Sequence, residues 1–175
     1  MAERKAWYPR TQDIEDKSGN GNHLSLVSQS GDPVEGKGVL GRSLGKNGAG
    51  TTSYLKNSGA GVTGSHAMFC FLNANELANT STANGILGCH NHANNSGTGI
   101  TLRPLSSTTY TLCTNTGWGD GRTFNAYYNS NFVMELDKWY HVGFTWDQDE
   151  RRLVYYVDGV EIYNQVMSYD MLMYP

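Results

Sequence analysis

Between Lys138 and Ile162 the chain reads KWYHVGFTWDQDERRLVYYVDGVEI, two aromatic-rich runs around a charged tip. Side chains of an extended strand alternate between its two sides. Tyr140, Val142, Phe144 and Trp146 therefore share one side of a first strand, and Leu153, Tyr155 and Val157 share one side of a second. Gln148-Asp149-Glu150-Arg151 between them is polar and turn-prone. Asp158-Gly159 then precedes a third short run holding Val160 and Ile162. An Asp-Gly pair suits a type I′ turn, whose two central residues both need positive φ. The run predicts an antiparallel meander with one apolar face.

The rest of the chain extends this pattern. Short apolar runs at Leu24–Val27, Ser65–Leu72, Gly85–Cys89, Gly99–Leu105 and Tyr110–Thr114 predict further strands, with Gly, Asn and Ser between them. In Ser65–Leu72, Ala67, Phe69 and Phe71 lie on one face, and His66, Met68, Cys70 and Leu72 on the other. Both faces being largely apolar predicts a strand inside a two-layer sandwich or beneath a covering loop. Residues 28–50 read as loop, anchored by Val39, Leu40 and Leu44; 73–84 read as a polar insertion with one helical turn at Glu76–Ala78. Residues 115–130 read as a long loop carrying Trp118, Phe124, Tyr127 and Tyr128. No amphipathic helix of useful length is visible. The fold class expected is all-β, an antiparallel two-sheet sandwich or jelly roll.

A chain of 175 residues fits one domain, which at this size buries roughly 70% of its unfolded surface. A net charge of −3 and a pI near 5.9 give no electrostatic footprint for a nucleic-acid backbone. No apolar run approaches the ~18 residues of a membrane-spanning helix, and the first 17 residues show no apolar signal segment. Cys70, Cys89 and Cys113 are an odd set at wide spacings, expected as buried reduced thiols, against one disulfide plus a free thiol. Reduced thiols and no signal segment fit synthesis in a reducing cytosol.

Four blocks in order carry a family resemblance: Asp16–Asn22 (DKSGNGN), Gly36–Leu44 (GKGVLGRSL), Trp139–Val142 (WYHV) and Tyr156–Val160 (YVDGV). From about Asp13 to Val166 the chain resembles the laminin-G-like domains of the concanavalin A-like lectin/glucanase superfamily. The resemblance implies a single jelly-roll domain over 1–175, with residues 1–12 as an arm. It implies binding of glycans or proteins through loops and one concave face, often with calcium. Such domains are common on bacteriophage tail and head fibres and in secreted bacterial proteins. Family members usually continue past the meander into a Gly-rich strand and a closing strand. Here Met167–Pro175 follows, which implies a fragment or closing strands from elsewhere, with 167–175 as a truncated strand or docking tail.

Catalysis is not expected. The glucanase branch carries its acids as Glu-x-Asp-x-Glu on one strand, and retaining hydrolysis needs two carboxyl groups about 5–5.5 Å apart. Glu135-Leu-Asp137 is the nearest match and lacks the third acid; Asp147, Asp149 and Glu150 fall at a hairpin tip. Cys89-His90-Asn91-His92 lacks the partner ligands of a zinc site and reads as a strand-end loop. His141 reads as a structural histidine. Calcium wants six to eight oxygens, and the turn with Asp16, Asn20 and Asn22 offers some, as does Asp120 in its own turn; tight Asn-Gly turns are the competing explanation. Trp118, Asp120, Arg122, Tyr127 and Tyr128 form the candidate glycan site, aromatic faces for sugar C–H groups and polar groups for hydroxyls; the alternative is that these aromatics order their own loop. The expected function is a non-catalytic virion module, assembled in the host cytoplasm, that binds host-surface glycan or a neighbouring virion protein or copy of itself. The alternative is a secreted or cell-surface carbohydrate-binding adhesin domain, extracellular in location. No cofactor is required by this reading, Ca2+ being the one ion considered.

Overall fold

The computed structural model describes residues 15–23, 25–27, 34–38, 41–45, 54–56, 64–75, 84–91, 96–116, 126–129, 131–168 and 170–171. The chain divides into two compact units, Met1–Ala60 and Gly61–Pro175.

In the first unit, β1 (Ser25–Val27) pairs antiparallel with β4 (Tyr54–Lys56), and β2 (Val34–Gly38) with β3 (Gly41–Gly45). The β2–β3 ladder lies inside the stretch expected to be loop. Glycine and charged residues alternate there in the sequence, so side-chain pattern gives no sign of the ladder. Val39 and Leu40 fall outside the described residues, as does the helical turn expected at Glu76–Ala78.

The second unit holds two antiparallel sheets, and the described residues contain no helix. The four-stranded sheet has the order β13 (Val160–Val166), β12 (Arg152–Val157), β11 (Trp139–Asp147), β5 (His66–Asn73). The other runs β10 (Met134–Glu135), β8 (Thr109–Thr116), β7 (Ser96–Pro104), β6 (Asn84–Asn91), with β9 (Ala126–Asn129) pairing further along β8. β9 is a correction, since 115–130 was expected as loop.

The meander forms as its residues dictate. Val142, Phe144 and Trp146 stand opposite Val157, Tyr155 and Leu153, and all six are buried. Tyr140 packs against this cluster, and its hydroxyl accepts the Glu135 N–H at 3.1 Å. Asp158 and Gly159 have φ of 50° and 79°, the pair of positive values the turn needs. At the other hairpin Asp147 Oδ1 accepts the N–H groups of Asp149 and Glu150, and Arg151 turns the chain with φ 53°. Ile100, Leu102, Tyr110, Leu112 and Met134 of the opposite sheet complete the core.

The tail is part of that core. Met167 donates its N–H to the Arg151 carbonyl at 2.8 Å, Arg151 pairs with Asp170, and Met167 and Met171 are buried in the cluster. These two residues dock on their own sandwich, where docking on another chain was one expectation. Cys70 and Cys113 are free thiols, and burial pushes each up to about 11. The Cys89 side chain is outside the described ones.

Two outcomes follow from this packing. Tyr155 is fully buried, and its hydroxyl meets the Thr114 N–H at 3.1 Å and Oγ1 at 2.8 Å across the two sheets. Tyr155→Phe strands that buried N–H and is expected to cost about 1–3 kcal/mol in urea unfolding; an unchanged midpoint would show the bond to be idle. His66 Nδ1 bonds the Gly64 carbonyl at 2.9 Å, its Nε2 is buried with no hydrogen-bond partner among the described residues, and burial lowers its pKa. As pH falls through about 6.5 the unfolded chain takes up this proton before the folded one does. Stability is therefore complete above that pH and declines below it. His66→Gln should flatten the fall in melting temperature between pH 7 and 5, and a variant with the wild-type slope would assign that slope to other groups.

Candidate functional site

The two sheets differ in which faces they leave open. In the five-stranded sheet Ile100, Leu102 and Leu112 face the core, yet Thr101, Thr111 and Cys113 on the opposite face are buried too. Its middle is closed on both sides. In the four-stranded sheet the side chains turned away from the core include Phe69, Phe71 and Trp139, which stay 40%, 49% and 38% exposed. β5 is thus an edge strand with an inner face of Met68, Cys70 and Leu72 and an open outer face. This corrects the expectation of a strand covered on both sides: neighbouring aromatics, and no covering loop, account for its outer apolar residues.

Register brings these aromatics together. His141 stands opposite Phe71, Gly143 opposite Phe69, and Trp139 opposite Asn73. The His141 ring lies 4.7 Å from Phe71 and stacks on Phe69 at 5.5 Å. Phe69 also meets Tyr156 at 6.0 Å. A Cβ at Gly143 would collide with the Phe69 ring and the Met68 carbonyl oxygen. Glycine there lets the Phe69 ring lie down on the strand. Trp139 is a diagonal neighbour of Phe71, within reach for side chains of that size. The His141 ring packs on Phe71 and Phe69, where bonding to a neighbouring loop was the expectation for this residue.

Polar groups edge the row. Asp158 closes the β11–β12 ladder beside His141: its N–H goes to the His141 carbonyl and its Oδ1 accepts the His141 N–H, both at 2.8 Å. Asn73 ends β5 opposite Trp139, and Tyr156 brings a phenol next to Phe69. Rings for C–H faces beside amide, carboxylate and phenol oxygens can hold a polyhydroxylated ligand.

The residues singled out from sequence are placed differently. Trp118, Asp120 and Arg122 fall outside the described residues, as does His92; Tyr127 and Tyr128 lie on β9, described as backbone. Asp16, Asn20 and Asn22 do share one turn. Asp16 is buried at its centre; its Oδ1 accepts the Ser18 N–H at 2.8 Å, and its Oδ2 takes the Ser18 hydroxyl at 2.7 Å and the Asn22 N–H at 3.0 Å. Its own N–H donates to His23 Nδ1 at 3.1 Å. The carboxylate thereby draws both ends of the turn together. Among the described residues no three His, Cys, Asp or Glu side chains gather as a metal site. Glu135 pairs with Lys138 at 2.9 Å, and Asp137 sits at φ 61° in the turn before β11. The Phe69–His141–Phe71 row escaped sequence reasoning because its phenylalanines read as core; Gly143 inside an aromatic strand was the signal that a ring lies close.

A model of the concanavalin A-like lectin/glucanases superfamily matches residues 47–173. Among solved structures the chain is similar to domain 4 of AbnA, a GH43 extracellular arabinanase from Geobacillus stearothermophilus, solved in complex with arabinotriose. The TM-score is 0.62 at 16% identity, over 92% of this chain and 73% of that one, a likeness of fold. No curated protein sequence matches the chain.

Gly143→Ala tests the aromatic row. The added methyl must displace the Phe69 ring or the β5 backbone, and overpacking of this kind costs typically about 1–3 kcal/mol. The expected result is a lower urea midpoint together with altered ring-proton shifts of Phe69 and His141. Unchanged shifts would show that the ring does not lie on the glycine.

Proposed function

Because the chain belongs to the concanavalin A-like lectin/glucanase superfamily, we propose that it is a non-catalytic carbohydrate-binding module whose ligand rests on the open face of the four-stranded sheet. The observation that carries this is the exposed row of Phe69 and Phe71 in ring contact with His141, with exposed Trp139 as their neighbour in register and Asn73 and Asp158 beside them. A similar fold holding arabinotriose supports it. The non-catalytic part draws on where the nearest acids sit. Glu135 and Glu150 are in ion pairs, Asp137 holds a left-handed turn and Asp147 caps a hairpin loop.

The proposed setting is a virion fibre or tail, where the module would meet host-surface glycan or a neighbouring virion protein; a secreted or cell-surface adhesin is the alternative setting. Calcium at Asp16, Asn20 and Asn22 belongs to the same proposal, and binding there has to exchange the N–H and O–H donors now on the Asp16 carboxylate. Immunogold labelling of purified particles tests the setting.

A glycan array probed with calcium and with chelator tests the binding role, and a reducing-end assay on every glycan bound tests the absence of hydrolysis. Binding is expected on at least one glycan class, with no new reducing ends. Phe71→Ala, at an exposed position, should weaken it by up to about ten-fold, as loss of a ring contact of about 0.5–1.5 kcal/mol would. Trp118→Ala should leave it unchanged if the sheet face, and not the 115–130 loop, is the site. An array blank in both conditions overturns the function.

A further inference from the structure

Resting on that reading, we propose that this face selects neutral glycans and rejects acidic ones, with Trp139 and Phe71 as the stacking surface and Asn73 and Asp158 as the hydroxyl partners. The rings do not all have free faces. Phe69 is occupied by His141, Tyr156 and the Gly143 backbone beneath it. Phe71 touches only His141 among described rings, and Trp139 stacks on none of them. These two half-exposed rings are the ones able to accept a sugar C–H face. Asn73, paired in register with Trp139 and two residues from Phe71 on the same strand, offers an amide beside them. Asp158 commits Oδ1 to the His141 N–H, which leaves Oδ2, unbonded among the described residues, to accept a hydroxyl.

Charge decides the ligand class. Lys138, next to Trp139, is held by Glu135 at 2.9 Å, and Arg152 on the same face is held by Glu150 at 2.7 Å and Asn164 at 3.0 Å. Asp137 and Asp158 have no cation partner among the described residues. Among the described residues, the charge left without an ion-pair partner beside Trp139 and His141 is therefore negative, as is the whole chain at −3. A uronic or sialic carboxylate would meet like charge, which raises the free energy of the complex and does so most at low salt. A neutral sugar hydroxyl instead donates to the Asp158 carboxylate, a charge-assisted hydrogen bond.

The array above identifies the ligand family. Amide chemical-shift titration of the full chain with neutral arabinotriose and with galacturonic acid trimer, at low and at high salt, then tests the selectivity. The neutral trimer should shift the amides of Phe71, Asn73, Trp139, His141 and Asp158. The acidic trimer should bind at least about ten-fold more weakly at low salt, and the gap should narrow as salt rises. Asp158→Asn keeps a residue that tolerates the left-handed turn and an acceptor for His141, and should weaken the neutral trimer while narrowing the gap. Equal or tighter binding of the acidic trimer, or shifts confined to residues outside this face, overturns the selectivity while the carbohydrate-binding function stands. A chain that binds neither trimer and no glycan of the array loses both.

Discussion

The hydroxyl of Tyr155 reaches from the four-stranded sheet to the N–H and hydroxyl of Thr114 on the other, inside a core otherwise built of apolar groups. Hydrophobic burial drives the sheets together but has no direction and would accept several offsets. A hydrogen bond between buried partners has one geometry, and missing it leaves two polar groups dry. The bond therefore fixes how one sheet sits on the other. Desolvation raises the Tyr155 pKa well above that of an ordinary phenol, in keeping with a neutral hydroxyl held there. Tyr110, also fully buried, is the contrast: its hydroxyl makes no hydrogen bond across the sheets among the described residues, lies near the Ala74 backbone, and is pushed up to about 12 by burial. It fills space; Tyr155 fills space and sets the offset.

The outward face follows from that inward one. Tyr155 stands opposite Phe144, so strict alternation sends Val142, Phe144 and Trp146 inward and Trp139, His141 and Gly143 outward. The β11–β5 register then puts His141 against Phe71 and Gly143 against Phe69. A slip of one residue would expose the core and dismantle the aromatic row in the same step. Stability and the candidate binding face thus share one constraint, and a variant that damages the first is expected to damage the second.

How much of this was legible depends on whether alternation alone decides the outcome. In the meander it does: one set of side chains is apolar, the turns carry Asp-Gly and a polar tetrapeptide, and strands, turns and core residues all form as read. In β5 both sets are apolar, so alternation says which residues share a face and not which face is covered. Phe69 and Phe71 were therefore read as interior. In β2, β3 and β9 alternation is absent or short, and pairing rests on backbone groups that composition does not reveal. The Asp16 turn was legible as a turn; that its carboxylate closes it through Ser18 and Asn22 depends on a local geometry that a ligand-like spacing also satisfies.

Three large apolar rings on the outer face of a sheet, two of them on an edge strand, are a liability that β proteins usually blunt with charge, Pro or a cover. Here the liability is reduced from within. Phe69 lies on Gly143, and His141 stacks against both phenylalanines, so ring faces that would invite another chain are spent on one another. What remains open is narrow: Trp139 and the far side of Phe71, beside a carboxylate and an amide. A flat apolar partner would have to strip water from Asp158 and Asn73 without replacing their hydrogen bonds, which costs binding energy. A sugar replaces those bonds with its hydroxyls while its C–H groups cover the rings. The same arrangement that spends ring faces on one another therefore favours a ligand both apolar and hydroxylated.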